Sequence, residues 1–262
     1  MTELIIYITA GISSGLIAGL FGVGGGLIIV PCLVFLFTFL NYESELIVHL
    51  AIGSSLACII FNSISSTITH IKMSNVDFKM LAPVALGISI GAFLGSAIAI
   101  EISGQLLKYI IGAFALLIAS QIFINNSLKI ELLNLRKYAK VLAGVFIGCA
   151  SSILGIGGGS FSVPFFNSSG LDIKKSIGTA AACGIPIAIF GTLGFCLLGL
   201  NEINLPKYSS GYIHWPSVLS ISATSIIAAK YGAILANKLP DTILRNLFIL
   251  LMIIISLYMF LS

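Results

Sequence analysis

The chain has 262 residues, of which 58% are hydrophobic and only 8% charged, against about 25% charged in an ordinary soluble domain. So few ionisable groups cannot cover a water-facing surface of this size, which excludes a soluble enzyme. The net charge of +4 is too small and too scattered for a nucleic-acid footprint and reads instead as membrane orientation.

In chain order, Glu3 is followed by an apolar run with no charge until Glu43. As one straight helix this run would measure roughly 58 Å, so it must cross a bilayer twice or double back. The sequence Gly22-Val-Gly-Gly-Gly26, followed by Pro31, marks the break. Charge-free intervals of membrane-crossing length then follow between Glu45 and Lys72, Lys79 and Glu101, and Lys108 and Lys129. A second overlong run lies between Lys140 and Asp172, interrupted by Gly155-Ile-Gly-Gly-Gly159 and Pro164. Three further intervals complete the chain, between Lys175 and Glu202, Lys207 and Lys230, and Arg245 and Ser262. With both long runs broken, the sequence predicts an all-α polytopic membrane protein of two five-segment repeats, about 8–10 membrane segments in all. No cleavable leader is expected, because no basic residue precedes the first apolar run.

The repeat is legible in spacing. Gly22 and Gly155, Pro31 and Pro164, and Pro83 and Pro216 each lie 133 positions apart, while Ile52-Gly-Ser and Ile177-Gly-Thr lie 125 apart. Small residues at every fourth position recur too: Gly11, Gly15 and Gly19 correspond to Gly144, Gly148 and Ser152, and Gly87, Gly91 and Gly95 to Ser220, Thr224 and Ala228. Such stripes let helices approach closely. An odd number of segments per repeat implies inverted halves, spanning 1–128 and 141–262 and joined by a basic cytoplasmic linker at 129–140. Ten segments put eleven basic residues on one side and leave only Lys108 and Lys207 on the other, the asymmetry that orients membrane proteins. Re-entrant hairpins tipped by the glycine clusters would give the same parity, and the short Ser160 to Asn167 piece suits one.

Chemistry is sparse. The five cysteines form no CxxC pair, and neither a disulfide framework nor a metal site is expected. Gly22 does not open a dinucleotide fingerprint, since Leu27 stands where the third glycine is required; no cofactor is expected. No ionisable residue lies near a segment centre, so an intramembrane hydrolase lacks its catalytic groups. What the clusters offer is backbone N–H at broken helix ends, able to hold an anion without a lysine. The candidate substrate ligands are Gly22, Gly24, Gly25 and Gly26, Gly155, Gly157, Gly158 and Gly159, with Ser54, Ser55, Asn62 and Thr179 supplying polar side chains in apolar helices. The same hydroxyls could equally satisfy themselves on the preceding turn. His70 is the candidate proton relay, and Tyr212, His214 and Trp215 fit an interfacial aromatic belt.

Gly19-Leu-Phe-Gly-Val-Gly-Gly-Gly-Leu-Ile-Ile-Val-Pro31, its repeat Gly155-Ile-Gly-Gly-Gly-Ser-Phe-Ser-Val-Pro164, and Gly211-Tyr-Ile-His-Trp-Pro216 together resemble the TauE/SafE family of membrane permeases. The resemblance implies export of sulfite, sulfoacetate or a related organosulfur anion. The expected function is therefore secondary transport in a cell membrane by alternating access, coupled to H+ or Na+, in a protein that could pair as a homodimer. A passive anion channel and a non-transporting membrane subunit are the alternatives.

Overall fold

The structure is a computed structural model that describes residues 2–21, 25–124, 136–236 and 240–261. They form ten helices: α1 (Thr2–Phe21), α2 (Gly26–Phe39), α3 (Ser44–Lys72), α4 (Phe78–Glu101), α5 (Gly104–Ile124), α6 (Lys137–Leu154), α7 (Gly159–Ser168), α8 (Ile173–Leu198), α9 (Trp215–Ala236) and α10 (Asp241–Leu261). Among the described residues there is no strand beyond an isolated bridge between Ser209 and His214. Most of the linker expected at 129–140 lies outside the described residues.

Local chemistry sets the boundaries. Asp77 and Asp172 cap α4 and α8, each carboxylate accepting from the backbone N–H three residues on, at 2.9 Å from Met80 and 2.8 Å from Lys175. Both overlong runs break at glycine. Gly25 (φ 83°) precedes α2 and Gly155 (φ 65°) ends α6, left-handed conformations that glycine adopts without cost from a Cβ. The prolines, expected to help break the runs, sit inside α2 and α7 instead. Both Pro31 and Pro164 follow so closely on the helix start that each removes a single early hydrogen bond, and the helix continues.

Among the described residues, five helices are long and apolar enough to cross a membrane by length and composition: α3, α4, α6, α8 and the Gly104–Gln121 part of α5. The 14 residues of α2 and 10 of α7 extend only about 21 and 15 Å, well short of a hydrocarbon layer of about 30 Å. Residues Leu46 to Ile59 of α3 are all buried, which makes α3 the central helix. It packs against α8 in antiparallel register, with Gly53 beside Phe195, Leu56 beside Gly191 and Ser63 beside Gly184.

The small-residue stripes are used as close seams. On α4, Gly87, Gly91 and Gly95 lie directly on the α6 backbone at Val141, Val145 and Cys149, while Gly144 and Gly148 of α6 lie on Val84 and Ile88. The other seam joins α1 to α9, where Gly11 meets Ile221 and Thr224 and Gly15 meets Ser225 and Ala228. Both seams run parallel. Lys72, Lys79, Lys137, Lys140, Lys174 and Lys175 gather at one end of the bundle, at the end of α3 and the starts of α4, α6 and α8.

Candidate anion site at the α6–α7 break

Gly157, Gly158 and Gly159 lead into α7, whose first N–H groups have no partner within the helix. They form one wall of a cavity of about 30 Å³, completed by Asn62, Ser63 and Ser66 of α3 and Ala180, Ala181 and Gly184 of α8. The Asn62 amide oxygen accepts from Ser225 Oγ at 3.1 Å, so the donors it retains are those of its NH2 group. No basic side chain lines the cavity. Its chemistry is therefore that of neutral donors at the positive end of a half-helix, which suits a small anion.

The two glycine clusters meet, though through other residues than the sequence suggests. A Cβ on Gly26 would lie 2.7 Å from both Gly155 O and Ile156 Cα, so the start of α2 abuts the end of α6. Gly155 in turn packs on Val30 and Ile52. Gly25 is buried at this junction, whereas Gly157 to Gly159 face the cavity; Gly22 and Gly24 lie outside the described residues.

The hydroxyls proposed as ligands hold backbone. Ser55 Oγ donates to Gly155 O at 2.8 Å. Ser54 Oγ accepts from His214 N at 2.9 Å, just before α9, and Thr179 Oγ1 accepts from Asp77 N at 3.0 Å, just before α4. These last two bonds are counterparts: Gly53, before Ser54, packs on Tyr212 O, and Gly178, before Thr179, packs on Asn75 O. Ser54 of α3 thus holds the entry to α9, and Thr179 of α8 holds the entry to α4. As acceptors, Ser54 and Thr179 keep their hydroxyl protons to give.

Along α3 beyond the cavity stand Thr67, buried with its hydroxyl unpartnered, and half-buried His70, whose Nδ1 is buried without a partner. At the far end of the bundle, of the three residues expected in an aromatic belt Trp215 is the exposed one, at 38%, and it donates Nε1–H to Ser210 Oγ. Tyr212 and His214 turn inward, and the His214 ring is enclosed by Tyr7, Phe37 and Tyr42. Burial pushes the His214 pKa down to about 4.

Residues 7–259 match the family described as "Sulfite exporter TauE/SafE". The chain belongs to the TauE/SafE family. A Haemophilus influenzae relative named "Probable membrane transporter protein" is 34% identical over 262 residues, covering 100% of this chain and 99% of that one. A protein of the same description from Methanocaldococcus jannaschii is 29% identical, covering 98% of this chain and 95% of its own. Another from Bacillus subtilis, YdhB, is 26% identical, with 88% and 90% covered. No solved structure matches the chain. With this family and these helices the protein is a multi-pass membrane transporter.

Sequence reasoning found Asn62 and the second glycine cluster but missed Ser63 and Ser66 on the same cavity. The signal was present: Asn62-Ser63 and Ser66-Thr67 stand one turn apart in an otherwise apolar helix.

Proposed function

We propose that this TauE/SafE protein is a secondary transporter that moves a small organosulfur anion, such as sulfite or sulfoacetate, by alternating access. The observation that carries the reading is the cavity at the start of α7, where Gly157 to Gly159 meet Asn62, Ser63 and Ser66. The anion takes its hydrogen bonds from backbone N–H and neutral side chains, so it can be released without breaking an ion pair. About 30 Å³ is close to the volume of one water molecule. The cavity must therefore widen to admit the anion, which supports alternating access over a standing pore.

The two halves, 1–128 and 141–262, are inverted copies in this reading. The antiparallel packing of α3 on α8 and the paired bonds of Ser54 and Thr179 support it. The lysine-rich end then faces the cytoplasm. Transport is coupled to a proton gradient through His70, reached from the cavity along the Ser63, Ser66 and Thr67 stretch of α3.

Purified protein in liposomes, given labelled sulfite, sulfoacetate, thiosulfate and sulfate under imposed proton or sodium gradients, tests all of this. Sulfite or sulfoacetate uptake should follow the proton gradient, and His70→Gln should abolish that dependence while sparing downhill flux. Gly158→Ala should cut uptake at least tenfold with a smaller loss of stability, because its Cβ would meet the flexible end of Ile187 at 3.0 Å and Ala180 O and Ser162 Oγ at 3.3 Å, contacts that small shifts relieve. Flux indifferent to every gradient would instead identify a channel, and full transport by Gly158→Ala would remove the site.

A further inference from the structure

A second, larger cavity of about 490 Å³ lies between α1, α2 and α10, away from the candidate anion site. Thr9, Ala10 and Ser13 line it from α1, Ile28, Pro31, Cys32 and Phe35 from α2, and Leu251, Ile254, Ile255 and Tyr258 from α10. It contains no charged group. Ser13 Oγ donates to Thr9 O of its own helix at 2.9 Å, so its hydroxyl is satisfied without a ligand. Phe35 and Ile254 are 57% and 55% exposed, which places the crevice on the outer, lipid-facing surface of the bundle.

The internal repeat explains why the crevice exists. The 133-residue offset pairs Thr9 with Leu142, Ser13 with Phe146, Ile28 with Phe161 and Cys32 with Phe165, and aligning the two 21-residue helices α5 and α10 pairs Leu251 with Phe114. At these five positions the crevice carries the smaller side chain, whereas at its outer end Phe35 and Tyr258 are larger than their counterparts Ser168 and Gln121. At the corresponding place between α5 and α7, Phe114 and Phe161 close on one another, with ring centroids 4.9 Å apart. Their counterparts, Leu251 and Ile28, instead both line the open crevice.

We infer that this crevice is a binding site for one acyl chain of a bilayer phospholipid, which fills the place that the Phe114–Phe161 pair fills between α5 and α7. Three features favour a hydrocarbon chain. The lining is predominantly apolar and uncharged, its polar groups being the hydroxyls of Thr9, Ser13 and Tyr258 and the Cys32 thiol. The crevice opens where acyl chains are the solvent. Its eleven lining residues fall well below the 20–30 per side that a stable protein interface uses, so a second copy of the chain does not suit it. The chain would press on the first turn of α2 at Ile28, two residues past the Gly26 contact with Gly155.

The test uses the full protein in liposomes containing phosphatidylethanolamine with a photoactivatable diazirine on one acyl chain. Adducts on Ile28, Cys32 and Ile255 should exceed those on the exposed α5 residues Leu116 and Leu117 at least fivefold. The double variant Ile28→Phe with Leu251→Phe, which recreates the ring pair, should lose that excess, and native mass spectrometry should count one fewer retained phospholipid. Should the double variant fold poorly, Ser13→Phe alone should reduce the labelling, and the wild-type pattern decides in any case. Labelling of the crevice no greater than that of α5, or cross-links from these residues to a second copy of the chain, would overturn the assignment.

Discussion

Replacing Gly91 by alanine adds one methyl group to α4, and the structure gives its consequence. The new Cβ would lie against Val145 O, 2.7 Å from Val145 C and 2.8 Å from Val145 Cα. Carbon atoms pack at about 3.5–4.0 Å, so α6 must withdraw by about 1 Å. The obstacle is backbone and cannot rotate aside. Because Gly87, Gly95, Gly144 and Gly148 share the seam, that withdrawal loosens its whole length. A gap of about 0.5–1 Å forfeits a quarter to a half of each pair's dispersion energy. We expect a loss of about 3 kcal/mol, the upper end of the overpacking range. For a chain of this size that lowers Tm by about 6–12 °C. Thermal unfolding in detergent measures it, with Ala113→Leu on the exposed face of α5 as control. A Gly91→Ala protein within about 1 °C of the parent would refute the claim that α4 and α6 touch backbone to backbone.

Ser54→Ala leaves His214 N–H buried without its acceptor and should cost roughly 1–3 kcal/mol, visible as a lower Tm; Thr179→Val should have a smaller effect, since the Asp77 N–H it strands is only partly buried. Lowering the pH from about 6.5 to about 4 should destabilise the protein, because the unfolded chain binds a proton at His214 that the folded chain refuses; unfolding temperatures of His214→Phe should lack that part of the pH dependence. Gly25→Ala should lower stability by about 1 kcal/mol or more through its positive φ, whereas Gly158→Ala, at φ −63°, should not be strained; equal unfolding temperatures for the two variants would contradict this.

Much of the fold was legible because membrane helices announce themselves by length and charge. Ten apolar segments became ten helices, and both overlong runs part at their glycine clusters. The stripes on α1 and α4 also read correctly as close-packing faces, but a small-residue face fits any other and so does not name its partner. That α4 takes α6 and α1 takes α9 emerged only from the structure. The polar residues show the same limit. Ser54, Ser55 and Thr179 stood out in apolar helices, yet periodicity cannot tell a hydroxyl that holds a ligand from one that holds a neighbouring backbone. Ser63 and Ser66 carry no stronger signal in the sequence than the other serines of this helix, any of which can bond its own preceding turn.

The cross-pairing of α1 with α9 and α4 with α6 has a consequence for biogenesis. Gly11 is made early, but Thr224, the residue it packs on, leaves the ribosome near the end of synthesis. Until then α1 carries an unsealed glycine face in the bilayer, and α4 does the same, more briefly, until α6 follows. A chain cut between α5 and α6 would therefore yield two fragments that each lack the mate of their first and fourth helices. Such fragments should be degraded when made alone and rescued when made together, because each supplies the two seams that the other is missing.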